Sequence, residues 1–94
     1  MVTVRFALAD KVFDVEKKEY SLGGTCIQLW CDGEPWATVT KCFPDVPHAE
    51  DEVFLDLNNC QAEIERMAQV GLIKITDMGI RSGWCVYPLG KILF

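Results

Sequence analysis

This sequence contains one histidine and no Cys-x-x-Cys pair, although it has five cysteines. Structural zinc sites take their ligands from closely spaced Cys or His pairs, so neither a zinc finger nor most mixed Cys/His sites fits this chain. The cysteines are odd in number and scattered, and three of them lie in apolar stretches. We therefore expect reduced structural thiols and no metal or cofactor, with a disulfide or a reactive cysteine as the alternative.

The residues that support catalysis are also scarce. A nucleophilic Ser or Cys needs a nearby base, which is usually His. The only histidine, His48, lies between Pro47 and Ala49 in an acidic stretch and is distant in sequence from every cysteine. Cys42 with His48 is the one conceivable dyad. Gly23-Gly24 leads into a strand-like segment and not into a helix, which excludes a phosphate-binding loop. We expect that the protein is not an enzyme.

Long apolar runs are absent as well. No segment approaches the roughly 18 apolar residues that cross a bilayer, and the first residues lack the layout of a signal peptide. Half of the 94 residues are hydrophobic, as in a folded protein, and the length suits one domain. The expectation is a single domain over residues 1–94, cytoplasmic in its host cell and without membrane contact.

Basic residues are missing from one long segment. Residues 42–65 hold seven carboxylates and no Lys or Arg, while residues 1–41 hold six acidic and five basic side chains and residues 66–94 one acidic and four basic. Negative charge gathered in this way disfavours binding to nucleic acid and favours a basic partner. The alternative interpretation is a solvated loop and helix start that keep the protein soluble. In the partner-binding interpretation the contacts are Asp45, Glu50, Asp51, Glu52 and Asp56.

What the chain does contain indicates strands first. Apolar residues alternate with polar ones over Val2–Leu8 and again over Lys11–Tyr20, which is typical of strands with one buried face. Thr25–Lys41 has the pattern of a β-hairpin around Asp32-Gly33. A three-residue loop places Leu29 opposite Ala37, and a two-residue loop shifts the pairing by one residue; we favour the three-residue loop.

The three-residue register also brings two tryptophans together. Trp30 then lies opposite Trp36 on the face away from Leu29. Cross-strand aromatic pairs usually pack beneath another element, and we expect this one to be buried. If the pair is exposed instead, it forms a protein–protein contact or a homodimer interface.

A helix is predicted in the second half of the chain. Asn58 followed by Gln61 fits an N-cap with a capping box, opening a helix over about 59–70 that ends at Gly71 in a Schellman motif. Short strands are predicted over Val53–Leu57 before the helix, and over 72–75 and 84–89 after it. These elements predict an α+β fold with one mostly antiparallel sheet of five or six strands and one helix packed on it.

Three stretches together carry a resemblance to a known group of proteins. They are Cys26–Leu29 with Asp32–Thr40, then Glu50–Val53, then Gly71–Ile73 with Gly83–Leu89. They resemble a family of short proteins, about a hundred residues long, from phages and integrative elements, whose function is unknown. The resemblance spans most of the chain and implies no activity and no site residues. It implies a context in which small accessory proteins block host defence complexes.

The acidic segment and this implied context lead to one hypothesis. We expect a non-enzymatic inhibitor of a host defence complex, such as a CRISPR effector or a restriction enzyme, that occupies the basic groove where nucleic acid would bind. The partner is then a basic nucleic-acid-handling protein, and the chain itself does not bind nucleic acid. The alternative is a structural or regulatory binding module of a mobile element without inhibitory action.

Overall fold

The computed structural model describes residues 4–94. The described elements are β1 (Val4–Leu8), β2 (Lys11–Glu19), β3 (Thr25–Cys31), β4 (Glu34–Thr38), β5 (Thr40–Lys41), β6 (Glu52–Leu55), α1 (Leu57–Gln69), β7 (Ile73–Ser82) and β8 (Cys85–Ile92). The α+β class and the antiparallel pairing are confirmed. The first predicted strand is present as β1, while Val2 lies outside the described residues.

The strands form two sheets and not the single sheet that we predicted. One sheet has the order β1-β2-β3-β4 and the other the order β5-β6-β8-β7, with every neighbouring pair antiparallel. The chain changes sheets at Val39, whose N–H donates to Ile27 O at 3.0 Å while its carbonyl accepts from Asp56 N at 2.8 Å. Thr40 then pairs with Leu55 of β6. The second strand of the predicted hairpin is thus divided between the two sheets as β4 and β5, and the total is eight strands where five or six were predicted.

The hairpin of β3 and β4 combines both registers considered from the sequence. Next to the turn the pairing is that of a two-residue loop, with Cys31 opposite Glu34. Beyond Trp30 it becomes that of a three-residue loop, with Leu29 opposite Ala37. The change of register is a β-bulge on β4, which lets the tight turn coexist with an apolar inner face.

The helix begins earlier than predicted and ends as predicted. Its first residue is Leu57 and the N-cap position is Asp56, so the expected Asn58 cap and capping box are wrong. At the other end, Gly71 N donates to Ala68 O and Leu72 N donates to Met67 O, and Gly71 has a φ of 83°. These two bonds define the Schellman motif.

One core joins both sheets to the helix. Its buried members include Phe13, Ile27 and Leu29 from the first sheet, Val53, Leu55, Ile73 and Ile92 from the second, and Cys60, Ile64 and Met67 from α1. The face of α1 that meets the core is therefore formed by Cys60, Ile64 and Met67. Among residues 4–94, no helix has the length and apolarity that crossing a membrane requires.

Candidate partner-binding surface

The acidic segment begins as a loop that covers the outer face of the second sheet. Val53 and Leu55 of β6 point into the core, so Phe54 between them points to the other face. Phe43 meets Phe54 edge-on, with ring centroids 5.4 Å apart, and lies 5.2 Å from the ring of Tyr87. These contacts hold the loop against the sheet although its prolines exclude regular structure.

A groove separates this loop from the turn between β2 and β3. The groove encloses about 600 Å³ and is lined by Glu19 and Gly24 on the turn side and by Pro44, Pro47, His48 and Glu50 on the loop side. We call it the acidic groove, because two carboxylates line it and no Lys or Arg side chain is among its lining residues. Gly24 has a φ of 89°, and a Cβ there would lie 3.5 Å from Nε2 of His48. That distance is an ordinary van der Waals contact, so the positive φ, and not a lack of space, favours glycine at this position.

The predicted contact residues divide into free and engaged carboxylates. Asp45 and Glu50 are exposed, and neither side chain forms a hydrogen bond or an ion pair within residues 4–94. Asp51 forms an exposed ion pair with Lys91, with 3.7 Å between Oδ2 and Nζ. Glu52 accepts a 2.7 Å hydrogen bond from Ala49 N and thereby closes the end of the loop. Asp45 and Glu50 are therefore the predicted contact residues whose carboxylates are unengaged in the described part of the chain.

Asp56 is not part of this surface, and the prediction that it is an exposed contact is wrong. Its residue is only 5 % exposed, because it lies at the junction of β6 and α1. Oδ2 accepts a 3.0 Å hydrogen bond from Nδ2 of Asn59, and Oδ1 has no hydrogen-bond partner among the described residues. The carboxylate is therefore enclosed by the protein and is not available to a basic partner.

The two predicted tryptophans do not form a pair. Trp30 lies opposite Pro35, and its Nε1 donates a 3.0 Å hydrogen bond to Oε1 of Glu16 on the outer face of the first sheet. Trp36 is the extra residue of the bulge, and it packs edge-on against the buried ring of Phe13 at 5.1 Å. The predicted cross-strand pair is therefore wrong, and so is its expected burial, since Trp36 is 47 % exposed.

Cys42 and His48 do not form a dyad in this arrangement. Nδ1 of His48 lies 2.9 Å from Val46 O, and the Cys42 thiol donates to Gly23 O at 3.8 Å. Each group is therefore held by the backbone and not by the other. Among residues 4–94, all five thiols are free and no group of three or more His, Cys, Asp or Glu side chains is placed to hold a metal ion.

A tyrosine behind the acidic groove is held in its neutral form. Burial raises the pKa of Tyr20 to about 12, and the hydrogen bond to Thr40 acts in the opposite direction. The two hydroxyl oxygens lie 2.7 Å apart. Tyr20 thus links the end of β2 to β5, so that the turn bordering the groove is attached to the second sheet.

Sequence reasoning missed Glu19 as a member of this surface. Its position in an exposed, alternating strand gave no signal, because only the folding of the β2–β3 turn towards the loop brings it to the same groove as Glu50. Gly23-Gly24 indicated a turn in the sequence but did not indicate that the turn lies opposite the Pro44–Glu50 loop. The acidic groove is therefore a product of tertiary structure.

Comparisons with known proteins leave the family open. No protein-family model, no curated protein and no solved structure matches this chain. The resemblance to short proteins of phages and integrative elements stays a prediction, and the site stands on its geometry alone.

Proposed function

We propose that this chain is a non-enzymatic protein-binding inhibitor whose acidic groove engages a basic site of its partner. The observation that carries the proposal is the groove itself, where Glu19 and Glu50 line a single depression of about 600 Å³. Asp45 lies in the loop that borders the groove, between two of its lining residues. Carboxylates held on an anchored loop attract Lys and Arg side chains at a small entropic cost.

The class of partner follows from the charge and from the resemblance. A basic groove that binds phosphates also attracts carboxylates, so our preferred partner is a nucleic-acid-handling complex. The resemblance to proteins of phages and integrative elements makes a host defence complex our preferred target. Binding in its nucleic-acid groove would then exclude the nucleic acid directly.

Charge reversal at the groove tests this proposal. The double variant Asp45→Lys/Glu50→Lys should weaken capture of the partner from host-cell lysate by at least about tenfold, because attraction becomes repulsion at both positions. Neither Asp45 nor Glu50 forms a side-chain hydrogen bond in the described part of the chain, so the melting temperature of the double variant should equal that of the wild type. Glu52 is left unchanged because it closes the loop.

A matched control carries the same charge change elsewhere. Glu34→Lys/Glu65→Lys alters two exposed carboxylates, one beside the β3–β4 turn and one on α1. Capture should persist in this control, and wild-type capture should fall between about 0.05 M and about 0.5 M salt. Equal loss in both double variants would show that net charge, and not the groove, determines binding.

The runner-up function is a regulatory or structural module that binds without inhibition. This function uses the same groove to bind the partner, but the bound partner keeps its activity. The partner is purified on its own and mixed with labelled duplex DNA. If occlusion is the mechanism, the amount of DNA bound to the partner should decrease as this protein is added. Stable capture without any decrease would support the module and contradict the inhibitor.

A further inference from the structure

The only histidine of the chain lies in the acidic groove. His48 lines the groove together with Glu19 and Glu50, and no Lys, Arg, Cys or Tyr is among the other lining residues. Histidine is the side-chain type that ordinarily changes its charge between about pH 5 and 8, whereas carboxylates ordinarily stay ionised over that range. His48 is therefore the residue of the groove lining whose type responds to pH near neutrality.

Two contacts fix the orientation of the imidazole ring. Nδ1 lies 2.9 Å from Val46 O, and because a carbonyl oxygen only accepts hydrogen bonds, Nδ1 carries the hydrogen. The ring also meets the buried ring of Phe54 edge-on, with centroids 5.6 Å apart. In the neutral imidazole Nε2 is then the nitrogen without a hydrogen, so Nε2 is the atom that takes up a proton.

Nε2 faces the turn on the other side of the groove. It is the atom nearest to the position that a Cβ of Gly24 would occupy, at 3.5 Å. A proton added at Nε2 therefore places a positive charge between the loop and the β2–β3 turn. The His48 side chain is exposed, so protonation requires no opening of the fold.

Charged and titratable groups approach His48 from three parts of the chain. They are Glu19 and Tyr20 at the end of β2, Asp45 and Glu50 in the loop, and Lys41 with Cys42 at the end of β5. Burial raises the pKa of Tyr20 to about 12, so it stays neutral. The carboxylates favour a proton at Nε2 and the Lys41 ammonium opposes it. Protonation then reduces the negative charge of the groove from within.

We propose that the acidic groove binds cationic side chains of its partner while His48 is neutral, and that protonation at Nε2 weakens this binding. The added charge offsets part of the attraction exerted by Glu19 and Glu50, and it repels an incoming ammonium or guanidinium group. The inference rests on the proposed function, because it concerns the same groove, and it adds pH as the condition that regulates binding.

A cationic peptide tests this regulation without the natural partner. Fluorescence anisotropy of a rhodamine-labelled hexa-arginine peptide gives the dissociation constant at about 0.05 M salt, where screening is weak. For the wild-type chain this constant should rise about three- to tenfold between about pH 7.5 and about pH 5.5, because one positive charge enters the groove.

Two substitutions of the histidine separate its charge from its packing. His48→Asn retains an N–H donor for Val46 O and cannot take up a proton, so its dissociation constant should be equal at both pH values. His48→Lys carries a fixed positive charge and should bind the peptide weakly at both pH values. Circular dichroism at each pH checks that the variants are folded.

Glu34→Gln is the matched control for net charge. It also makes the chain more positive by one charge, but beside the β3–β4 turn, at the end of β3 away from the groove. Its affinity at the higher pH and its change with pH should equal those of the wild type. Asp45→Lys/Glu50→Lys should bind the peptide at least about tenfold more weakly at the higher pH, which locates the peptide in the groove.

A single histidine also allows the protonation to be observed directly. The imidazole Hε1 resonance follows it by NMR, and its midpoint should move to lower pH when the peptide is bound, since linkage is reciprocal. The same pH dependence in wild type and His48→Asn, a midpoint that does not move, or no peptide binding at the higher pH would overturn the inference. The proposed function fails on a different result, namely equal capture of the natural partner by the wild type and Asp45→Lys/Glu50→Lys.

Discussion

The β3–β4 and β7–β8 hairpins are built alike and differ in what surrounds them. Each has a two-residue turn with a glycine of positive φ, each contains a bulge, and each carries a tryptophan at or near its turn. Trp36 is 47 % exposed and contacts Phe13, with Nζ of Lys11 5.5 Å from its ring. Trp84 is fully exposed. Hairpins with these shared features thus hold one tryptophan that packs on Phe13 and one that is exposed.

The difference follows from the neighbouring strands. β3 pairs along its length with β2, which supplies the aromatic surface under Trp36. β8 pairs with β6 only over residues 89–91, so the half of the β7–β8 hairpin near its turn extends beyond the sheet. The first hairpin is therefore part of the folded core, whereas the turn end of the second projects from the sheet.

The largest expected effect comes from removing the support of the first hairpin. Phe13 is buried and contacts both Phe6 and Trp36. Phe13→Ala should lower the free energy of unfolding by about 3–5 kcal/mol, measured by chemical denaturation. Val12→Ala, at the exposed neighbouring position, should change it by less than about 0.5 kcal/mol. Similar losses in both variants would contradict the central role given to Phe13.

The two tryptophans provide the direct comparison. Trp36→Ala should cost about 1–2 kcal/mol, because it removes an edge-on aromatic contact and a cation–π contact with Lys11. Trp84→Ala should cost no more than about 0.5 kcal/mol, because the side chain is fully exposed. Denaturation curves of both variants provide the measurement. A larger loss for Trp84→Ala would show that the second hairpin is not free.

A smaller effect on the free energy of unfolding is expected from pH, through the Cys60 thiol at the contact between α1 and β4. The Cys60 thiol donates to Thr38 O of β4 at 3.7 Å, and burial, aided by Glu63 and Asp56, raises its pKa from 9.0 to about 11. The folded state therefore retains this proton more strongly than the unfolded state. The corresponding stability is present below pH 9 and decreases as the pH rises to about 11, by at most about 1.4 kcal/mol per pH unit.

Cys60→Ala isolates that contribution. Its free energy of unfolding should decline less steeply between pH 9 and 11 than that of the wild type, in denaturation under reducing conditions. Cys85→Ala serves as the control, because Cys85 lies in the other hairpin and is only partly buried. Equal slopes for wild type and Cys60→Ala would assign the pH dependence to other groups, among which Tyr20 has a pKa of about 12.

The sequence by itself determined the features that depend on neighbouring residues. Alternation identified β1 and β2, Asp32-Gly33 located a turn in which both residues have positive φ, and Gly71 located the end of the helix. These signals are reliable because the physical cause lies within a few residues of the effect.

Only the tertiary structure decided which of these elements meet and which side chains are enclosed. It placed the change of sheet at Val39, buried Asp56, and brought Glu19 and Glu50 to one groove. It also left Trp84 exposed while Trp36 packs on Phe13. Each outcome depends on a contact between segments distant along the chain. Local residue type and spacing do not predict such long-range contacts, because each contact depends on how the whole core packs.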